Sequence, residues 1–203
     1  MFYGVELMPE YEIYRFKRDI LQKLTTFEKY YACIAYSNVL NIIRMYIKDF
    51  EIRWSDVDAN GHMANSAYLN FMSHTRMAFF IDQGFTMKML GKYNIGPVVF
   101  YEHMYYFKEA FLGQPLRVSL EVSGLSEDGT LIKFDHNFYN RKGENIAHCE
   151  MLGAWINLKE RKLTTLPADL LAFSENLPKA ENYKVITKED TRAHGKKPKN
   201  LVS

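Results

Sequence analysis

Between Trp54 and Asn65 the chain gathers two carboxylates, two carboxamides and an imidazole: Asp56, Asp58, Asn60, His62 and Asn65. A carboxylate can take a proton from water or attack a carbonyl itself. An imidazole changes charge near neutral pH and can orient water or hand a proton on. Together these groups suit acyl transfer to water. The same residues also have a structural use. Asn60-Gly61 is an ordinary turn pair, Asp56 or Asp58 can cap a turn, and His62 can be a hydrogen-bonded packing residue.

Two elements must hold this loop. Tyr46 to Trp54 reads as a strand, with Tyr46, Phe50, Ile52 and Trp54 on one parity. Ser66 to Gln83 contains neither Pro nor Gly, Asn65 or Ser66 offers an N-cap, and Gly84 suits the C′ position. Apolar residues wrap most faces of this segment, which predicts a buried central helix. The first-turn N–H groups of a helix lack internal partners and present a positive end. A carbonyl oxygen resting there would be polarised, and negative charge developing on it stabilised. The chemical loop therefore runs straight into an electrophilic site.

Downstream, the pattern is strand-like. Strands are predicted for Pro97 to Glu109, Leu116 to Leu125, Leu131 to Asn140 and Glu144 to Leu158, with turns at Glu127-Asp128-Gly129 and Arg141-Lys142-Gly143. Along Leu116 to Leu125, Val118, Leu120 and Val122 share one face and Ser119, Glu121 and Ser123 the other. Pro167 to Phe173 reads as a short helix. The order is strand, long helix, then four successive strands joined by short loops, which predicts antiparallel neighbours and an α+β fold with one sheet over one helix. The aromatic content predicts that part of the exposed sheet face packs on a second subunit. Residues 45–187 form the predicted domain. Residues 1–44 read as a helical extension or an upstream start, with an interfacial membrane anchor as the sharper alternative. Residues 188–203 read as a charged, frayed tail.

Composition removes several classes. The 203 residues carry 26 basic and 24 acidic side chains, so no nucleic-acid footprint is expected. Two cysteines, Cys33 and Cys149, cannot build a disulfide framework or a Cys-based zinc cluster. The longest uncharged run, Tyr30 to Ile43, falls short of the roughly 20 apolar residues a spanning helix needs. Acidic residues and Pro9 interrupt any signal-peptide pattern. The expectation is a cytoplasmic protein without a membrane span. No Gly-x-Ser-x-Gly, P-loop or dinucleotide fingerprint is present.

The run Arg53-Trp54-Ser55-Asp56-Val57-Asp58-Ala59-Asn60-Gly61-His62-Met63-Ala64-Asn65, followed by Tyr68-Leu69, resembles the signature of the 4-hydroxybenzoyl-CoA thioesterase family of hotdog-fold proteins. It is also similar to the Asp-x-Asn-x-His motif of acyl-ACP thioesterases. The resemblance spans about Tyr46 to Leu158. It implies a hotdog fold, an antiparallel sheet wrapped around one long helix, and hydrolysis of an acyl-CoA or acyl-ACP thioester. It implies Asp58 as the base or nucleophile and the Asn65 backbone N–H as the group that binds the thioester oxygen. From the acyl-ACP branch it implies Asn60, His62 and a further glutamate in a Tyr-x-x-Glu context, which Tyr106-Phe107-Lys108-Glu109 matches at Glu109. The family's Asn-Asn after the motif histidine is Ala64-Asn65 here.

The resemblance further implies a site formed where subunits meet, hence a homodimer or homotetramer, with no metal or cofactor required. Gly61, Met63 and Asn65 would lie beside the substrate. Tyr68, Phe71 and Met72 would shape an acyl tunnel along the helix, and Lys108, Arg141 or Lys142 could meet the nucleotide of CoA. His136 reads as a satisfied core histidine and Cys149 as structural. Two other readings stand beside hydrolysis: a hotdog hydratase or dehydratase, and a catalytically silent acyl-CoA-binding protein.

Overall fold

The computed structural model describes residues 45–174, 177–192 and 194–201. The expected extension 1–44 lies outside the described residues. The chain runs β1 (Tyr46–Glu51), a 3-10 turn (Trp54–Asp56), α1 (Asn65–Asp82), α2 (Met87–Tyr93), β2 (Ile95–Tyr106), β3 (Pro115–Leu125), β4 (Leu131–Tyr139), β5 (Asn145–Asn157), β6 (Lys162–Leu163), α3 (Ala168–Ser174), β7 (Lys179–Val185) and a 3-10 turn (Lys188–Arg192). The sheet order is β1-β3-β4-β5-β2, with β6 on β5 and β7 on β3. This is the α+β hotdog fold, a curled antiparallel sheet around one long helix.

Sequence order is not pairing order. The short-loop argument holds for β3–β4 and β4–β5, but β2 pairs with β5 at the far edge rather than with β3. The segment after Tyr106 crosses to β3, and that crossing carries Phe107, Lys108 and Glu109 off the predicted strand and into a loop. β7 joins β3 in parallel, sharing the edge that β1 occupies lower down. Register shifts at Val99/Tyr101 in β2 and Val122/Gly124 in β3 bend the strands around the helix. Opposite the β2 bulge, a Cβ on Gly153 would sit 2.7 Å from the Val98 carbonyl oxygen, so the close approach needs glycine.

Helix α1 buries Ala67, Tyr68, Phe71, Met72, Thr75, Arg76, Phe79 and Phe80 as a four-residue ridge. Each large apolar side chain on it contributes about 2 kcal/mol on burial. The opposite face, with Leu69 and Ile81, is exposed, because the sheet covers one side only. The predicted burial on most faces is thus narrowed to one stripe. The N-cap is Ala64 rather than Asn65 or Ser66, and it makes no side-chain cap bond. At the other end Gly84 takes φ +84°, and the Gly84 and Phe85 N–H groups donate to Ile81 O and Phe80 O.

Three further expectations shift. Trp54 is 79% exposed, because the chain leaves strand geometry after Glu51 and turns into the 3-10 helix. Ser119 and Ser123 are buried with their hydroxyls paired: Ser119 Oγ accepts from Asn137 N–H and Ser123 Oγ donates to Asp135. On the outer face of the sheet Ile186 packs with Leu131, Leu152 and Ala154, so the chain's own C-terminal segment covers part of it. The expected frayed tail begins with an ordered turn, tied by Lys184 Nζ to Asp190 Oδ1 at 2.7 Å, and the His194 ring lies tilted against His103, centroids 3.9 Å apart. Among the described residues no helix is long and apolar enough to cross a membrane.

Candidate active site

The two motif carboxylates have separate fates. Asp56 is buried, and Arg53 holds it with the backbone N–H and Nε on Oδ2 (2.9 and 2.8 Å) and Nη2 on Oδ1 (2.9 Å). The guanidinium beside it keeps the Asp56 carboxyl below the usual carboxylate range. The Asp56 carbonyl accepts Ala64 N–H at 2.8 Å, which pins the start of α1. Asp56 is the structural half of the motif.

Asp58 is the open half. Asp58 N–H donates to His62 O and Gly61 N–H to Asp58 O, both at 3.0 Å, closing a tight turn. Gly61 supplies φ +79°, a left-handed conformation that glycine takes without strain. Asp58 Oδ1 accepts Asn60 N–H at 2.8 Å. Asn60 therefore contributes its backbone, and its side chain lies on the exposed outer side of the turn, away from the lining of the cleft.

His62 stands between two carboxylates. Its Nδ1 is 3.8 Å from Asp58 Oδ1 and its Nε2 is 3.9 Å from Glu109 Oε1. The fold thus puts the imidazole between the two carboxylates. The bridge is built by β-type pairing of His62 with Phe111, and Met63 N–H donates to Ala110 O at 2.7 Å. These contacts bring the β2–β3 crossing, and Glu109 with it, against the motif loop. Side-chain exposures of 36% for Asp58, 31% for His62 and 67% for Glu109 leave all three open to solvent.

A cleft of about 380 Å³ joins Asp58, His62, Asn65, Tyr68, Tyr106 and Glu109. At its helix end, Asn65 Oδ1 accepts Ser66 N–H at 2.8 Å and Ala67 N–H donates back to Ala64 O. The Asn65 backbone N–H is the first-turn donor left without a partner among the described residues. Tyr68 meets Tyr106 edge-on, with ring centroids 5.1 Å apart. Burial, with Tyr106 adding to it, pushes the Tyr68 phenol up to about 12, so it stays neutral and presents an apolar wall with a hydroxyl tip.

Met63, Asn65 and Tyr68 line the cleft, and Gly61 is not among the lining residues. Phe71 and Met72 do not line it either. Both are buried in the core, Phe71 against Phe50, because the ridge that carries them points under the sheet. Tyr106, Phe107 and Lys108 also line the cleft. They belong to the Tyr-x-x-Glu segment, which leaves the strand after Tyr106. Lys108 pairs with Glu144 at 3.1 Å.

The family model of the Thioesterase-like superfamily matches residues 52–173. Among solved structures, the chain is similar to a hypothetical protein from Staphylococcus aureus in complex with CoA, at 18% identity and TM-score 0.62, covering 78% of this chain and 96% of that one. It is similar to a DHNA-CoA thioesterase from Staphylococcus aureus at 20% identity and TM-score 0.59, covering 64% and 87%. It is also similar to an acyl-ACP thioesterase from Bacteroides thetaiotaomicron at 18% identity and TM-score 0.57, covering 63% and 51%. No curated protein matches the sequence.

Proposed function

We propose, from the premise that this chain belongs to the Thioesterase-like superfamily, that it hydrolyses acyl-CoA or acyl-ACP thioesters to a free acid and a thiol. The reading rests on one observation: Asp58, His62 and Glu109 line the same cleft as the unpartnered Asn65 N–H. The thioester oxygen sits on that N–H, at the positive end of α1. Asp58 takes a proton from water as the water oxygen attacks the carbonyl carbon. The tetrahedral oxyanion is held by the amide, the C–S bond breaks, and a proton passes through His62 to the leaving sulfur. Glu109 on the far side of His62 stabilises the imidazolium while it carries that proton. The 3.8 and 3.9 Å separations exceed hydrogen-bond length and close when substrate arrives.

We further propose that a second copy of the chain completes the site. The cleft is an open trough, and the outer edge of β2 has no strand partner among the described residues. Val99, Phe100, Tyr105 and Tyr106 are exposed along that edge, which is where a partner would be expected. Lys108 at the rim, with Arg141 and Lys142 on the β4–β5 turn, is offered to the CoA phosphates.

The test is thiol release from a panel of acyl-CoAs. Turnover that Asp58→Asn removes supports the reading. Water addition to an enoyl-CoA would favour a hydratase, and tight binding of every thioester without cleavage would leave a binding protein.

A further inference from the structure

Of the groups gathered at the cleft, Glu109 is the one least held by its own element. It lies in the crossing 107–114 between β2 and β3, and its side chain is 67% exposed. Its Oε1 still stands 3.9 Å from His62 Nε2. A loop carboxylate keeps such a place only where the backbone on both sides of it is tied down, because a working site tolerates displacements of about 0.5 Å. On the β2 side, the Phe107 and Lys108 N–H groups both donate to Ile146 O, at 2.9 and 3.1 Å. On the β3 side, Met63 N–H donates to Ala110 O and Phe111 pairs with His62 in β fashion. The second tie depends on how Phe111 is presented to the motif loop.

At Phe111 the chain reverses. Gln114 N–H donates to Phe111 O at 3.2 Å and closes a four-residue turn, whose third residue, Gly113, takes φ +72°. Phe111 and Leu112 are 42% and 47% exposed, so packing does not hold this turn in place. Polar contacts do, and Gln114 makes three of them. Besides its own N–H, its carbonyl accepts Ile52 N–H at 3.1 Å, and its side-chain Oε1 accepts Phe111 N–H at 3.2 Å. Gly113 N–H adds a bond to Ile52 O at 2.8 Å. Ile52 precedes the motif loop and His62 closes it, so this one turn touches both ends of the loop that carries Asp58.

We propose that Gln114 is a positioning residue for the reaction: its side-chain carbonyl, by accepting Phe111 N–H, fixes the turn that holds Ala110 and Phe111 against the motif loop, and so keeps Glu109 at His62. The inference rests on the thioesterase reading and adds a residue to its machinery. Gln114 is not among the residues that line the cleft, and it acts through Glu109. Two of its three bonds are made by backbone and are open to any residue. Only the Oε1 acceptor belongs to the side chain. Glutamate in its place keeps an acceptor oxygen at the same reach, whereas leucine keeps the size and loses the acceptor.

The experiment measures kcat and KM, on the acyl-CoA that the wild type cleaves best, for Gln114→Leu, Gln114→Glu, Glu109→Gln and the double variant Gln114→Leu/Glu109→Gln. Gln114→Leu is expected to lower kcat about fivefold with KM within about twofold and unchanged circular dichroism, and Gln114→Glu to restore kcat to within about twofold of the wild type. Glu109→Gln is expected to lower kcat by at least as much as Gln114→Leu, and Gln114→Leu to add nothing further in that background, because it works through the same carboxylate. Wild-type kcat in Gln114→Leu or in Glu109→Gln, no rescue by glutamate, or losses that multiply in the double variant overturn the positioning role. Cleavage of no thioester by the wild type instead overturns the thioesterase reading.

A second measurement needs no variant to fold. In the isotope-labelled full chain, hydrogen exchange at the Phe111 amide is expected to be at least about tenfold slower than at the adjacent Leu112 amide, each taken relative to its intrinsic rate. Leu112 N–H has no partner among the described residues, whereas Phe111 N–H has Gln114 Oε1. Equal protection means that the side chain does not hold the turn, and the proposal fails.

Discussion

Two histidines sit against one helix, each beside charged groups, and they are held in opposite ways. His62, at the N-terminal end of α1, lies 3.8 and 3.9 Å from two carboxylates in an open cleft. His136, below the middle of α1, is fully buried, with Nδ1 2.8 Å from the Ser119 carbonyl and Nε2 facing Arg76. The buried ring is neutral, donating Nδ1–H to Ser119 and accepting from the guanidinium. Burial and the Arg76 charge push it down to about 3. The contrast is between polar groups with unused hydrogen-bonding capacity, which can act on a substrate, and polar groups whose capacity is consumed by the fold.

The largest effect should come from the open region. Asp58→Asn is expected to lower thioester turnover by about 10²–10⁴-fold, with unchanged circular dichroism and melting. Retained turnover would place Asp58 with the structural groups and erase the contrast. Next, Arg76→Met removes the guanidinium whose Nη2 donates to Glu102 Oε1 at 2.9 Å. That leaves Glu102 half-buried without a partner, and chemical denaturation should show a loss of about 3 kcal/mol.

The third test is pH. The unfolded chain protonates His136 near 6.5 and the folded chain only near 3, so the unfolded state binds more protons in between. Stability is complete above the upper value and falls as pH drops, by about 1.4 kcal/mol per pH unit. Urea midpoints between about pH 6 and 4.5 should show this slope, and His136→Asn should flatten it. His62→Gln, in the open region, should cost roughly tenfold in turnover, while stability moves by less than about 0.5 kcal/mol. Smallest is Asp56→Ala, expected to cost about 1 kcal/mol through loss of the Arg53 bonds at the helix entry. Because the Asp56 carboxyl is held below its ordinary range, its contribution is present above the unfolded value and is lost as pH falls through the depressed folded one.

Legibility followed the range of the interaction. The turn at Gly61, the helix with its Gly84 stop, the short helix after Pro167 and the β3–β4–β5 meander depend on neighbours a few residues apart, and spacing exposed them. The alternating set Val118, Leu120 and Val122 is buried for the same reason. Trp54 misled because strand parity carries no sign of where a strand ends. Phe71 and Met72 misled because an apolar helix residue looks alike whether it lines a cavity or fills a core. Asp56 and Asp58 were indistinguishable until Arg53 was seen folded back on one of them.

The sequence by itself determined the local machinery: a carboxylate turn feeding the start of a long helix, in a chain with enough alternating apolar residues to wrap that helix. Only the tertiary structure decided what faces it. Glu109 reaches His62 because β2 pairs with β5 rather than β3, which throws the crossing loop over the motif. Arg76 finds Glu102 because β2 lies alongside α1. Both depend on which distant strand lies alongside, and that is fixed by the total burial of the sheet and helix rather than by any residue's immediate neighbours.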